Sequence, residues 1–275
     1  MLLVFDVGNT ETTLGLFDAP ARRDALNPAV LPPLVANWRI TTDVARTPDE
    51  FGLLLHGLLA SARHPIGAIE AVAIGSVVPP ITVPLADACK RYLSCTPVVI
   101  DARSVLPIQL DVDEPLTVGA DRLINTLAAK LLYRRDTIVV DLGTATTFDC
   151  ITADGRFFGG VIMPGVRTMA ETLVRRTSKL PATEIVAPAR AIGRRTEECI
   201  RSGVVFGAAD AIDGLVRRIR AEWPSAEVPL VVATGGLAPV LAPHCSSVDR
   251  VEPNLTLIGL QLAEALVGRG AGDRA

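Results

Sequence analysis

Residues 2–18 read LLVFDVGNTETTLGLFD, and residues 137–153 read TIVVDLGTATTFDCITA. Each segment is an apolar β-rich run, then Asp-x-Gly, then small hydroxyl residues, then a second β-rich run. Slid by 135 positions, Val4 meets Val139, Asp6 meets Asp141, Gly8 meets Gly143 and Thr12 meets Thr147. Glycine lets the backbone approach a ligand closely, and successive turn N–H groups can cradle an anion. An Asp at the end of a buried strand is costly unless it faces a cation or hydrogen-bond donors. Two such turns would supply donors for phosphates and carboxylates for a metal. One copy would read as an ordinary hairpin with a polar tip; two copies with Asp in register point to a ligand.

Four further groups could carry chemistry. Gly119-Ala120-Asp121-Arg122 opens a helix. Asp121 there is either a helix-start residue held by the helix dipole or a base for a substrate hydroxyl. Arg122 has the planar fork that binds a carboxylate. Gly159-Gly160-Val161-Ile162-Met163-Pro164-Gly165 reads as a turn ahead of a helix, or as an anion site at that helix's N-terminus. Gly235-Gly236 follows a buried strand and is open to the same two readings, a nucleoside being one group that could rest on it. Thr196-Glu197-Glu198 opens a long helix, where capping alone accounts for Thr196.

Other chemistries are excluded. The basic residues number 27, of which only Lys90, Lys130 and Lys179 are lysines, and none follows a glycine. The Gly-Lys-Ser/Thr phosphate loop is therefore absent. The three histidines, His56, His64 and His244, are far apart, which argues against zinc. Five scattered cysteines without a CxxC pair suit reduced thiols and a cytoplasmic protein.

Elements must position these groups. Thr47-Pro48-Asp49-Glu50 is a capping box, and Phe51, Leu54, Leu55, Leu58, Leu59 and Ala62 follow on one helical face. Residues 71–78 and 97–101 read as buried strands with a helix near 83–94 between them. Residues 118–134 read as a helix leading into the second Asp-turn. Further helices are expected at 166–178, 196–221 and 256–267, and a strand at 230–234. Residues 19–36 read as an Ala/Pro-rich surface insertion.

The chain has 275 residues, 49% hydrophobic and only 4% aromatic, with a net charge of −3. That excludes general disorder and requires a core of Val, Leu, Ile and Ala. It provides no basic field for nucleic acid. The mean hydropathy of +0.38 raises the question of a membrane. However, the longest uncharged stretch, Val228 to Val248, is broken by Pro229, Gly235-Gly236, Pro239 and Pro243, so no spanning helix is expected. Asp6 likewise interrupts the apolar N-terminus before a signal-peptide core could form.

Taken in order, DVGNT at 6–10, GADR at 119–122, DLGTATTFD at 141–149 and GGVIMPG at 159–165 resemble the motifs of the type III pantothenate kinases. These belong to the acetate/sugar kinase, Hsp70 and actin superfamily. TEE at 196–198 and TGG at 234–236 agree, and the likeness runs over about residues 1–268. Many members carry an aromatic residue where this chain has Val112.

The resemblance implies an α/β fold of two duplicated actin-like, ribonuclease H-like domains with a cleft between them. The division expected is 1–117 and 118–268, with a disordered tail at 269–275. It implies ATP-dependent phosphorylation of pantothenate to 4'-phosphopantothenate, the first step of coenzyme A biosynthesis. Asp6, Val7, Gly8, Asn9, Thr10, Glu11, Thr12, Thr13 and Thr144 would bind ATP with Mg2+. Gly119, Ala120, Asp121 and Arg122 would hold pantothenate, with Asp121 as general base. Asp141 would coordinate a monovalent cation, K+ or NH4+. Thr196 would reach pantothenate from the second subunit of a homodimer. Two other classes use the same turns: a polyphosphate or nucleotide phosphatase, and a nucleotide-dependent regulatory protein.

Overall fold

The computed structural model describes residues 1–18 and 31–272. They form two compact units, one of residues 1–132 with the C-terminal segment from Thr256, the other Tyr133–Leu255.

In the first unit, β1 (Leu2–Val7), β2 (Glu11–Phe17) and β3 (Leu34–Thr41) form an antiparallel meander. Next come α1 (Pro48–Ser61), β4 (Ala71–Ser76), α2 (Pro79–Tyr92), β5 (Val98–Ile100), the short β6 (Gln109–Leu110) and α3 (Ala120–Tyr133). The sheet order is β3-β2-β1-β4-β5, with β4 parallel to both β1 and β5. The period-two alternation of β1 divides its side chains between two cores. Leu3, Phe5 and Val7 pack with Phe51, Leu55 and Leu59 of α1 and Ile81 and Leu85 of α2. Leu2 and Val4 pack on the other face with Ile124 and Leu127 of α3. The capping box at Thr47 forms as expected: Glu50 N–H donates to Thr47 Oγ1, and Thr47 N–H donates to Glu50 Oε2 at 2.7 Å.

The second unit repeats the plan. β7 (Thr137–Leu142), β8 (Ala145–Ile151) and β9 (Arg156–Pro164) form the meander, followed by α4 (Val166–Arg176) and α5 (Thr196–Ala221). Then come β10 (Leu230–Thr234), α6 (Ala238–Leu241) and β11 (Arg250–Val251), with β10 parallel to β7 and β11. The run β9-β8-β7-β10-β11 thus matches β3-β2-β1-β4-β5 strand for strand. Ile138, Val140 and Leu142 pack against Val204, Val205, Ala208 and Ile212 of α5. The last helix, α7 (Leu255–Gly272), returns to the first unit, where Leu257, Leu260 and Ala263 join Leu2, Val4 and Ile124.

Four expectations change. The units do not divide at 117/118: α3 and α7 bury their apolar faces on the first sheet and so belong with it. Residues 34–36 lie in β3 rather than in an insertion, while 19–30 fall outside the described residues. Gly159–Pro164 is strand, not turn. The register shifts between Asp149 and Ile151, where β9 carries one extra residue as a bulge containing Gly159 at φ +135°, while Gly160 keeps its place opposite Asp149. Finally, the helix expected to end at 267 continues to Gly272, so 269–272 are not a disordered tail, and 273–275 lie outside the described residues.

Candidate active site

The first Asp-turn joins β1 to β2. Asp6 faces Thr13 and Val7 faces Thr12 in the ladder, leaving residues 8–11 as the turn, closed by Gly8 N–H donating to the Glu11 carbonyl at 3.1 Å. The second turn joins β7 to β8. Asp141 faces Thr147 and Leu142 faces Thr146, so only residues 143–145 intervene, and Gly143 N–H donates to the Ala145 carbonyl at 3.1 Å. The second turn is one residue shorter. The spatial equivalent of Thr12 is therefore Thr146, not Thr147 as the ungapped offset implied. Both Thr12 and Thr146 are buried.

Within the first unit, Asp6 ends β1 on the side of Leu2 and Val4, the face covered by α3. Gly119-Ala120-Asp121-Arg122 forms the start of that helix. Gly119 supplies the first helical carbonyl, accepting from Arg122 N–H and Leu123 N–H. A side chain at Gly119 would meet Asp121 Oδ1 at 2.5 Å and Val77, just past the end of β4. The Asp121 carboxylate, in the first turn of α3, accepts a bond from Arg122 N–H at 2.9 Å. Burial raises its pKa above the ordinary 3.8, against the lowering effect of that hydrogen bond and of the Arg122 charge. A carboxyl poised this way takes up a proton more readily than an exposed Asp, as a base for a hydroxyl requires.

Within the second unit, two further turns close on the end of β7. Gly235 has φ +88°, and a Cβ there would lie 2.5 Å from Asp141 Oδ1 and 2.8 Å from Leu142 N. Only glycine allows this chain path against the carboxylate. Gly165, the last residue before α4, would strike the Gly143 and Thr144 carbonyls with any side chain. Its N–H donates to the Thr144 carbonyl at 3.1 Å. The GGVIMPG and TGG motifs thus serve by close approach to the second Asp-turn, a role that spacing did not reveal. Thr234, beside Asp141 in the ladder, is buried, and its hydroxyl has no partner among the described residues.

Thr196 begins α5 and is exposed. The capping position is Arg195, without a side-chain cap bond, so capping does not account for Thr196. Thr196 instead lines an open cavity of about 580 Å³ with Pro164, Met169, Leu173, Leu180 and Ile200. Among the described residues, no three His, Cys, Asp or Glu side chains cluster as a resident metal site would need. A divalent ion arriving with ATP needs only one or two carboxylates plus phosphate oxygens and water, and Asp6 is a donor of that type. No helix among the described residues is long and apolar enough to cross a membrane.

Two duplicated sheet units with Asp-x-Gly hairpins define a protein of the actin-like ATPase and sugar kinase fold. Solved structures bear this out. One is a conserved Baf-family transcriptional activator from Campylobacter jejuni, with a TM-score of 0.58 at 16% identity over 97% of this chain and 99% of that one. Another is the activator of 2-hydroxyisocaproyl-CoA dehydratase from Clostridium difficile, with a TM-score of 0.54 at 12% identity over 99% and 96%. At these identities the likeness concerns the fold alone. The sequence profile of type III pantothenate kinases matches residues 2–218. Curated type III pantothenate kinases are similar along their length. The protein from Desulfatibacillum aliphaticivorans is 43% identical over 263 residues, 95% of this chain and 97% of the relative. That from Geobacter sulfurreducens is 41% identical over 264 residues, with the same coverage. The chain belongs to the type III pantothenate kinase family.

Proposed function

We propose that this protein transfers the γ-phosphoryl group of ATP to the hydroxyl of pantothenate, opening coenzyme A synthesis, with Asp121 as general base. The observation that carries this is the family match over residues 2–218 together with the duplicated Asp-turns. Asp6 through Thr13, with Thr144, take the phosphates. Gly119 to Arg122 hold pantothenate: Arg122 receives its carboxylate, and Asp121 accepts the hydroxyl proton as that oxygen attacks. The raised pKa of Asp121 supports the assignment. Magnesium bound with ATP near Asp6 would supply neutralisation of phosphate charge. Asp141, fenced by Gly235 and the turn at 143–145, is the residue for K+ or NH4+.

The apolar, open cavity at Thr196 supports a homodimer in which a second copy covers α4 and α5. Cytoplasmic location is supported by five free cysteines, four of them buried, with burial pushing Cys89 and Cys245 up to about 12. The direct test is incubation with ATP, Mg2+, K+ and pantothenate, with mass detection of the product. Appearance of phosphopantothenate is expected. Full-rate phosphate release without pantothenate would instead indicate a phosphatase, and nucleotide binding without turnover a regulatory protein.

A further inference from the structure

Each Asp-turn has a carbonyl held by a threonine hydroxyl from outside its hairpin. In the first unit, Thr42, just past β3, donates from Oγ1 to the Gly8 carbonyl at 2.7 Å. Its single hydrogen is thereby used, so the 2.9 Å contact between Thr42 Oγ1 and Thr12 Oγ1 has Thr12 as donor. The chain of bonds runs from Thr12 through Thr42 to Gly8. Thr42 is itself fixed by its N–H donating to the Thr10 carbonyl at 3.0 Å. In the second unit, Thr168, in the first turn of α4, donates from Oγ1 to the Thr144 carbonyl at 2.7 Å. That carbonyl also accepts from Gly165 N–H. The two threonines come from a strand end and a helix start, so the duplicated strand plan does not by itself account for the shared contact.

The peptide group is planar and trans, so its N–H points opposite to its C=O. Fixing the Gly8 carbonyl toward Thr42 fixes the Asn9 N–H in the opposite direction. Fixing the Thr144 carbonyl toward Thr168 does the same for the peptide joining Thr144 to Ala145. A turn peptide otherwise flips at little cost, and a flipped peptide offers an anion a carbonyl in place of a donor.

We infer that Thr42 and Thr168 are positioning residues of the nucleotide site, each locking one turn peptide in the orientation that receives phosphate. This rests on the reading of those turns as the phosphate-binding elements. Neither threonine touches the reacting atoms; each acts through the turn it holds.

The test compares Thr→Val and Thr→Ser at positions 42 and 168. Valine keeps the branched shape without the hydroxyl, and serine keeps the hydroxyl. Losing a hydrogen bond, to a partly buried carbonyl at Gly8 and to an exposed one at Thr144, predicts that each Val variant raises the KM for ATP about threefold to tenfold. The KM for pantothenate should stay within about twofold, and each Ser variant should return near the parent. Affinity for a non-hydrolysable ATP analogue, by calorimetry, should weaken in parallel. Equal analogue affinity in the Val and parent proteins would overturn the inference, as would Ser variants no better than Val. Should Thr42→Val unfold the first unit, Thr168→Val still decides, since Thr168 lies half-buried at the start of a helix. Calorimetry separates the two failures. A parent that binds the analogue but makes no phosphopantothenate refutes the activity alone, whereas unchanged affinities refute the positioning role alone.

Discussion

Asp121 carries the sharpest residue-scale consequence. General-base catalysis contributes about 10²–10⁴-fold, so Asp121→Asn should lower kcat by that range while the protein melts as before. Near-normal turnover would remove Asp121 from the role. A base must be ionised to act, and burial holds this carboxyl above 3.8. The kcat/KM for pantothenate should therefore fall as pH drops through a value above that of an ordinary Asp. An acid limb at or below 3.8 would contradict the assignment. Asp141→Ala should abolish the response of turnover to K+ or NH4+ while basal ATP binding persists; an unchanged cation response would place the site elsewhere. Spacing left Asp121 open between a base and a helix-start residue, and only the family resemblance gave it a role; Asp6 and Asp141 were legible because carboxylates beside glycines in duplicate are rare by chance. Thr42 and Thr168 were not. A threonine after a strand or in a first helical turn is common, and only the folded backbone brings each against its carbonyl.

At the scale of elements, sequence periodicity located the helices with the clearest apolar stripes and start signals: α1 after its capping box, α3 and α5. It missed β3 and β9 for different reasons. β3 alternates half-buried and exposed residues within an Ala- and Pro-rich neighbourhood. β9 contains the two glycines that elsewhere mark a turn, and pairing with β8 overrides that local preference. One buried carboxylate ties three elements together. Asp136, just before β7 and only 7% exposed, accepts from Trp223 Nε1 after α5 at 2.8 Å, from Ser225 Oγ at 2.9 Å, and from Ala153 N–H in the β8–β9 turn at 2.9 Å. Burial alone would raise its pKa, but these three bonds outweigh it and the net shift is downward. The stability it adds is therefore present above the ordinary value of 3.8 and is lost as pH falls through its lower folded value. Asp136→Ala should destabilise the protein by about 3 kcal/mol at neutral pH, since three donors lose a charged acceptor. Urea melts of the variant and parent at pH 7 measure this, and a difference under about 1 kcal/mol would mean that water replaces the carboxylate at no cost.

At the scale of the whole molecule, the offset of 135 revealed two related halves, but not that the chain's last helix closes the first of them. Nothing in the residues from 255 onward says which sheet they cover; that follows from long-range packing. Proposed assembly and observed packing each lead to a test. If a second copy covers the cavity at α4 and α5, a charge at Leu173, which is 37% exposed, should convert the dimer to monomer. Leu173→Glu that still sediments as a dimer would move the interface elsewhere. The contacts of α7 with the first unit are direct. Leu257, Leu260 and Leu262 are almost fully buried in the core that holds Leu2, Val4 and Ile124. At about 1.5–3 kcal/mol for each large side chain buried, these three leucines contribute about 5–9 kcal/mol. That is comparable with the whole stability of a domain, about 5–15 kcal/mol. Gly259 brings the helix so close that a Cβ would lie 2.5 Å from the Ile124 carbonyl oxygen. A chain ending at Asn254 should therefore lose the first unit while the second, whose core contains no α7 residue among those described, keeps its own sheet. In amide hydrogen exchange, β1 and β4 should exchange rapidly while β7 and β10 stay protected. Gly259→Val in the full chain should shift the same amides in the same direction by a smaller amount. Protected β1 amides in the truncated chain would mean that α1 and α2 alone hold that sheet, and that α7 contributes far less than its buried leucines suggest.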